Sequence, residues 1–359
     1  MMLATKSRPV MRKLHAKFST MSLPNCAAFV ASGLDFKLHH VPGTGSGGKP
    51  YTLGLMQIKR NELDEATAPA VLMVHGAISN GKMFYSSSGR GLAPYLAGQG
   101  FNCFVADLRG RGYSAPSLEE EYRTAGQVTH AQIGAIRDDI PTLAAAVSTL
   151  SKRPDKRQSW VAHSWGGVLL ASAYARCELA TRPHVDCMVC FGTKRHISQR
   201  RSLQYAGMIG FGWNLWCPLV AKVCGYLPGS AVQRAGIGMD GETAESLREC
   251  RAWVNSPVEW VDPVDGFNYG AAWRALSTPP PPPTWHFSGS EDAVLGHPKD
   301  VQLWAKQTTS PGSRLTELVG YGHNDMITGR KCDVEHFPGV ASWMHQHAVA
   351  PDRTPAFSV

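Results

Sequence analysis

The stretch V-A-H-S-W-G-G-V, residues 161–168, decides the predicted fold. An apolar run leads into it, and a helical pattern follows without a helix breaker after Gly167. A serine between a strand and a helix, with small residues two positions before and after it, is typical of a sharp turn that presents the serine side chain. Ala162 stands where the usual pattern G-x-S-x-G has glycine, and its single methyl group fits the same space. Ser164 is therefore a candidate nucleophile.

A second serine, Ser79, lies in a similar string, A-I-S-N-G, at residues 77–81. It also follows an apolar run, but it comes after His75 and Gly76 in a loop, and no glycine-rich helix start follows it. Because the structural context decides the meaning of such a string, the sequence favours Ser164 over Ser79 as the nucleophile.

Strands and helices alternate along the chain on both sides of this turn. Short apolar runs indicate buried parallel strands, and two alternating segments indicate an opening pair of strands. Helical patterns lie between the runs, one of them around residues 83–97 and the longest from about Thr129 to Leu150. This order predicts an α/β protein with a doubly wound, mostly parallel sheet. The predicted strands are residues 36–41, 51–58, 70–76, 101–108, 159–164, 187–195, 284–290 and 314–320.

The alternation stops between residues 197 and 275, a stretch rich in tryptophan and glycine. We interpret this stretch as a helical lid insertion above the sheet. The proline run Pro279–Pro283 then forms a stiff connection back to the sheet. The predicted units are a basic leader at 1–25, core segments at 26–196 and 276–350, the lid insertion at 197–275 and a tail at 351–359.

Most of the formal net charge of +8 comes from the leader. Residues 1–25 carry five basic residues and no acidic one, which leaves +3 for the rest of the chain. We therefore expect no nucleic-acid partner. The leader has the composition of a mitochondrial transit peptide and lacks the apolar stretch of a secretory signal. A disordered basic tail, or initiation at Met21 in a cytoplasmic protein, stays open as the alternative.

The nine cysteines are scattered through a long chain, which indicates a reducing, intracellular compartment. Cys187 and Cys190 form a C-x-x-C string inside a predicted strand, where residues three apart face opposite sides of the sheet. We interpret them as core residues and expect neither a metal nor an organic cofactor. No segment is long and apolar enough to predict a membrane span.

A serine hydroxyl needs a base to accept its proton and an acid to orient that base. Asp292 follows the predicted strand at 284–290, and His323 follows the next strand. Because the carboxyl ends of parallel strands meet at one edge of a sheet, both can reach Ser164. Asp325 is a competing acid, but it lies on the loop of His323, where we expect it to brace the turn.

Two backbone N–H groups are predicted to bind the oxyanion of a tetrahedral intermediate. Trp165 follows the serine at a helix N-terminus, whose dipole favours negative charge. Ala77 lies in the loop after the strand at 70–76, and His75 and Gly76 would shape that loop.

The motifs H-G-A, D-L-R-G-R-G-Y-S, H-S-W-G-G, S-G-S-E-D and G-H-N-D together resemble the α/β-hydrolase fold superfamily over residues 50–348. The resemblance implies a catalytic triad of Ser164, Asp292 and His323, with Asp107 as a structural turn residue. The ending H-N-D-M-I is similar to the His-x-Asp ending of acid lipases. It implies a lipase- or esterase-like serine hydrolase that cleaves carboxylic esters with an apolar acyl group through an acyl-enzyme. Epoxide hydrolases and dehalogenases of this fold have aspartate in place of Ser164.

Three other interpretations stay open. The same residues would also serve an acyltransferase, which hands the acyl group to an alcohol or an amine. A non-catalytic binding module would keep the fold without the chemistry. The basic cluster of Lys194, Arg195, Arg200 and Arg201 would bind a membrane surface or nucleic acid, although we favour a solvated face.

The first half of the lid insertion is too apolar to face water, so we expect it to roof the site. We predict an acyl pocket formed by Met208, Phe211, Trp213 and Trp216. Alternatively, these residues only pack the lid on the core or form a dimer contact. The expected partner is a small-molecule ester or a lipid, with peripheral membrane contact through the lid. The sequence does not predict the oligomeric state.

Overall fold

The computed structural model describes residues 19–21, 33–45, 48–256 and 259–348. These residues form a nine-stranded sheet with the order β1-β2-β3-β5-β4-β6-β7-β8-β9. The predicted α/β class with a mostly parallel sheet is thus confirmed. The strands are β1 (Ser19–Met21), β2 (Leu34–Thr44), β3 (Pro50–Arg60), β4 (Ala70–Val74), β5 (Asn102–Ala106), β6 (Gln158–His163), β7 (Val185–Phe191), β8 (Thr284–Gly289) and β9 (Arg314–Leu318).

The sheet has an antiparallel and a parallel part. The pairs β1–β2, β2–β3 and β3–β5 are antiparallel, and the pairs from β5 through β4 to β9 are parallel. Strands β4, β5 and β6 are buried along their whole length, because helices cover both faces of the sheet. The carboxyl ends of β6, β7, β8 and β9 share one edge, from which the candidate site residues project.

The helices follow the strands in the expected alternation. A π-helical segment (Ala135–Asp139) joins the helices Gln132–Gly134 and Ile140–Leu150. A second one (Ala206–Trp216) joins the helices Leu203–Tyr205 and Cys217–Cys224. The α-helices are α1 (Leu92–Gly98), α2 (Leu118–Ala125), α3 (Gln132–Gly134), α4 (Ile140–Leu150), α5 (Trp165–Arg176), α6 (Leu203–Tyr205), α7 (Cys217–Cys224), α8 (Gly229–Arg234), α9 (Ala244–Asn255), α10 (Tyr269–Arg274), α11 (Pro298–Gln307), α12 (Asp325–Thr328), α13 (Cys332–Glu335) and α14 (Phe337–Ala348).

Two hydrophobic cores lie on the two faces of the sheet. Helices α4, α5 and α10 cover one face with side chains such as Ile140, Val168 and Trp273. Helices α1 and α14 cover the other face with side chains such as Leu96 and Met344. This double layer holds the strands rigidly and so fixes the positions of the loops at their carboxyl ends.

Two local features differ from the sequence prediction. The helix expected around residues 83–97 begins only at Leu92, because Gly89 and Gly91 have positive φ angles that interrupt a helix. Strand β1 lies inside the predicted leader, where it pairs with β2 at the edge of the sheet. The rest of the leader and the predicted tail fall outside the described residues.

The end of the predicted lid insertion belongs to the helical layer of the core. Helix α10 packs against α5, and the rings of Tyr174 and Trp273 lie 5.9 Å apart. Trp260 donates a hydrogen bond to Ser172 on the same helix at 3.2 Å. The segments α6 to α9 therefore make up the part that covers the carboxyl edge of the sheet.

Candidate active site

Ser164 occupies the turn between β6 and α5. Its backbone has φ 51° and ψ −122°, a conformation that residues with a side chain seldom adopt. The amide of Ser164 donates to the carbonyl oxygen of Phe191 at 2.7 Å, and the amide of Gly167 donates to Ser164 at 3.2 Å. These bonds hold the strained turn and place the serine side chain at the N-terminus of α5.

Small residues let neighbouring backbone approach this turn closely. A Cβ atom at Gly166 would lie 2.5 Å from the carbonyl oxygens of Val74 and His75, closer than any real contact. A Cβ atom at Gly76 would lie 3.0 Å from Cβ of Ser164. Ala162 is fully buried in β6, so its methyl group is accommodated. The loop after β4 therefore packs directly on the serine.

His323 and Asp292 lie on the loops that follow β9 and β8. Nδ1 of His323 donates to Oδ2 of Asp292 at 2.5 Å. Burial by itself raises the pKa of Asp292, but the charge and hydrogen bond of His323, the amide of Gly296 and the charge of Lys194 outweigh it and lower the pKa. The Asp292 carboxylate is therefore ionised at neutral pH and holds the imidazole ring.

Asp292 occupies Nδ1, which leaves Nε2 of His323 to act on the serine. His323 and Ser164 border the same cavity. Within the described chain, no hydrogen bond joins the Ser164 hydroxyl to the His323 ring. Such contacts are often loose before substrate binds and tighten in the complex.

Two neighbours position the loop of His323. Nε2 of His163 donates to the carbonyl oxygen of His323 at 3.0 Å, and burial lowers the pKa of His163 to about 3, so this ring is neutral. The carboxylate of Asp325 accepts from the amide of Gly322 at 3.1 Å within the same loop. The structure thus brings Asp292, and not Asp325, to the ring of His323.

The loop after β4 is shaped by His75. Its Nε2 accepts from the amide of Leu108 at 3.2 Å, so Nδ1 carries the proton and donates to the carbonyl of Gly76 at 2.8 Å. Ser79, the competing serine, donates to Sδ of Met239 at 3.6 Å. In the described chain Ser79 has no hydrogen bond to a histidine, so it lacks a base.

The two amides predicted to bind an oxyanion both border the cavity with Ser164. Ala77 lies in the loop after β4, and Trp165 is the first residue of α5. Among the described residues, no acceptor is found for either N–H group. Both amides are therefore free to donate to a bound oxygen.

Asp107 braces the loops below the site. Its carboxylate accepts from the amide of Gly81 at 2.6 Å and from the amide of Tyr113 at 2.8 Å. Burial raises the pKa of Asp107 to about 6. These bonds are consistent with the expectation of a structural turn residue.

A cavity of about 680 Å³ lies between Ser164 and the lid segments. Its walls are mostly apolar side chains and glycines, as in ligand pockets generally. The four residues predicted to form an acyl pocket all border it. Trp213 and Trp216 are half-buried, whereas Met208 and Phe211 are 47% and 60% exposed, so they lie on its solvent side.

One side of the lid faces water, contrary to the expectation that its apolar first half is covered. Phe211, Leu215, Leu219 and Val223 are spaced four residues apart on one side of the helix, and each is more than half exposed. Residues 197–239 also contain four basic residues and no acidic one. Peripheral membrane contact through this face stays a prediction.

A later lid segment, residues 238–242, is hydrogen-bonded to the loop after β4. The amides of Met239 and Asp240 donate to the carbonyl oxygen of Ile78 at 2.9 and 3.1 Å. Asn80 also donates to the carboxylate of Asp240 at 3.0 Å. The position of this segment and the position of the loop that carries the amide of Ala77 are therefore coupled.

Comparison with known proteins supports the assignment of the fold. A family model described as the alpha/beta hydrolase fold matches residues 69–214, from the start of β4 through the Ser164 turn into the lid. The chain has the α/β-hydrolase fold, and its residues 69–214 are similar to that family. No protein of curated function matches it by sequence.

Solved structures similar to this protein share only its fold at their level of sequence identity. A soluble variant of the monoglyceride lipase from Saccharomyces cerevisiae, in complex with a substrate analogue, has TM-score 0.59 and 14% identity and covers 86% of this chain and 96% of its own. The esterase PF2001 of Pyrococcus furiosus has TM-score 0.52 and 14% identity, covering 91% and 96%. The α/β-hydrolase GrgF from Penicillium has TM-score 0.52 and 15% identity, covering 87% and 99%.

In the described part of the chain, no three histidine, cysteine or acidic side chains are grouped so as to hold a metal ion. Over the same residues, no helix has both the length and the apolar character needed to cross a bilayer. The expectations that the protein needs no cofactor and contacts membranes only peripherally are thus still predictions.

The sequence interpretation of the basic cluster is wrong for two of its members. Lys194 and Arg195 are 5% and 2% exposed, so they are not part of a solvated face. Arg195 donates to the carbonyl oxygens of Trp253 and Ser256 on the lid side. The sequence signal for their burial was their place directly after a core strand, β7. The sequence also missed His163, which lies beside the nucleophile in the chain.

Proposed function

We propose that this protein is a serine hydrolase that cleaves carboxylic esters with an apolar acyl group. The observation that carries the proposal is the pairing of His323 with Asp292 at 2.5 Å, where His323 borders the same cavity as the strained serine Ser164. A serine, an imidazole that can accept its proton and an ionised carboxylate that orients the imidazole are the three parts of a catalytic triad. The similarity to an esterase and to a monoglyceride lipase in fold agrees with this chemistry.

In the proposed mechanism, Oγ of Ser164 attacks the ester carbonyl carbon while Nε2 of His323 accepts the hydroxyl proton. Asp292 keeps the other ring nitrogen protonated and stabilises the imidazolium that forms. The amides of Ala77 and Trp165 donate to the oxyanion of the tetrahedral intermediate. His323 then returns the proton to the leaving alcohol, and the acyl group stays on Ser164.

The second half of the reaction repeats these steps with water. His323 removes a proton from a water molecule, the hydroxide attacks the acyl-enzyme, and the acid is released with Ser164 restored. The apolar walls of the cavity favour an apolar acyl chain and exclude bulk water from the intermediate.

The experiment is to label the purified full-length protein with a fluorophosphonate probe and to assay p-nitrophenyl esters. Ser164→Ala should abolish labelling and reduce kcat by about 10⁴-fold or more. Ser79→Ala is the matched control, because it removes another buried serine of the same cavity, and it should keep both signals. Labelling of the Ser164→Ala protein at an undiminished rate would contradict the proposal.

A further inference from the structure

A lysine side chain lies buried beside the candidate site. Lys194 follows β7 in the loop that begins at Gly192, and only 5% of it is exposed. A Cβ atom at Gly192 would lie 2.9 Å from the ring of His323, so this loop packs on the catalytic base. Lys194 is also a wall residue of the cavity that contains Ser164.

Lys194 is the only lysine, arginine, aspartate or glutamate among the described residues that border this cavity. Around it the walls are formed by groups such as Ile197, Cys250, Val254 and Leu295. An ammonium group in such surroundings is costly unless an anion or several hydrogen-bond acceptors compensate it.

The described protein supplies no such direct partner. Lys194 makes no hydrogen bond and no ion pair with any described residue. The two carboxylates that act on its charge are both engaged, since Asp292 accepts from His323 and Asp300 accepts from the amide of Ser198. Burial lowers the pKa of Lys194, while these two carboxylates act in the opposite direction.

The neighbouring residue Arg195 shows that a buried cation in this loop can find hydrogen-bond acceptors. Arg195 is equally buried, but it turns to the lid side and donates to the carbonyl oxygens of Trp253 and Ser256. Lys194 borders the cavity and makes no such bond with a described residue. Its three N–H donors are therefore available to a bound molecule.

We infer that Lys194 binds a carboxylate on the substrate, so that the preferred esters are singly charged. This inference rests on the proposed ester hydrolysis at Ser164. The chemical class is an ester with an apolar chain and one free carboxylate, such as a half-ester of a dicarboxylic acid. A single cation matches one negative charge, whereas a phosphate monoester carries nearly two and would require more donors than this cavity offers.

The rival explanation is that Lys194 only keeps Asp292 ionised and acts through it as a positioning residue. The two explanations predict different kinetics. Loss of a substrate contact lowers kcat/KM for the charged ester alone. Loss of support for Asp292 lowers kcat for neutral and charged esters alike and changes the pH profile of the reaction.

The test compares two six-carbon substrates, p-nitrophenyl hexanoate and the mono-p-nitrophenyl ester of adipic acid, at constant ionic strength. Lys194→Met keeps an unbranched apolar side chain as far as the ε position and removes the ammonium group. It should lower kcat/KM for the adipate ester by about tenfold or more, because a charge-assisted hydrogen bond is lost. The hexanoate ester should change by less than about threefold. An equal loss for both esters would overturn the inference in favour of the positioning role.

The unaltered protein provides a second measurement that does not depend on the variant. If Lys194 binds a carboxylate, the adipate ester is turned over at least as efficiently as the hexanoate ester. A preference of about tenfold or more for hexanoate would overturn the inference, because the apolar walls would then reject an uncompensated charge. Fluorophosphonate labelling of the same samples separates failure of this inference from failure of the proposed function. If the protein is not labelled and turns over neither ester, the proposed function itself fails.

Discussion

The ring of His323 donates to Asp292 at 2.5 Å across two loops, between residues 31 positions apart in the sequence. The carboxylate of Asp325, only two positions from the histidine, bonds to the amide of Gly322 instead. Parallel strands β8 and β9 bring the distant acid to the histidine, while the nearby acid points into its own loop. Sheet topology therefore decides which carboxylate meets the ring of His323.

The first prediction follows from this geometry. Asp292→Asn should reduce kcat for a p-nitrophenyl ester by about 10⁴-fold, because the ring of His323 loses the carboxylate that selects its tautomer. Asp325→Asn is the matched control and should cost far less, since it loses only a bond within a loop. Steady-state kinetics of both variants decide the matter. The roles would have to be exchanged if Asp325→Asn carried the larger loss.

The second prediction concerns the acyl pocket. Each buried methylene contributes about 0.8 kcal/mol, or about fourfold in binding. Extending a p-nitrophenyl ester from two to eight carbons should therefore raise kcat/KM steeply, and Trp213→Ala should reduce this chain-length dependence. Leu215→Ala is the control, because Leu215 lies on the same helix but faces solvent. A flat chain-length profile in the unaltered protein would refute the pocket.

The third prediction concerns pH and the lid helix α9. Glu249 accepts from the amide of Ile133 at 3.1 Å, and burial raises its pKa to about 7. Because the folded-state pKa of Glu249 is raised, folding favours the protonated carboxyl group. This contribution to the free energy of unfolding is fully present below the unfolded-state pKa of about 4.3 and is lost as the pH rises through about 7. Glu249→Gln should therefore raise Tm relative to the unaltered protein at pH 8 but not at pH 4.5. Each kcal/mol gained in the free energy of unfolding at pH 8 should raise Tm by about 2–4 °C.

Thermal unfolding followed by circular dichroism at both pH values measures this difference. Glu245→Gln serves as the control, because Glu245 lies on the same helix, is far more exposed and pairs with Arg248. An equal change in Tm at both pH values for Glu249→Gln would show that its charge is not buried in solution.

The fourth prediction concerns the exposed lid face. Its apolar residues and the basic residues of the segment suit a bilayer that contains anionic lipid. Replacing Leu215 and Leu219 together by aspartate should abolish co-sedimentation with phosphatidylglycerol-containing vesicles. Val334→Asp, at an exposed apolar position outside the lid, should not change it. Concentration-dependent dimerisation without vesicle binding would instead assign this face to a second copy of the chain.

The sequence alone determined the alternation of strands and helices, the turn at Ser164 and the candidate partners Asp292 and His323. These features could be predicted because they depend on local patterns: burial on both faces makes strands continuously apolar, and the turn requires small residues at fixed positions. The convergence of three strand-end loops then follows from the common edge of a parallel sheet.

Only the tertiary structure decided which side chains the lid buries. The basic composition around Lys194 and Arg195 suggested solvent, but packing of α9 and its following loop encloses both residues. The apolar side chains at Leu215 and Leu219 suggested burial, yet they face outward. Burial depends on contacts between segments far apart in the chain, and an insertion has no repeating strand–helix pattern to indicate which of its sides meets the core.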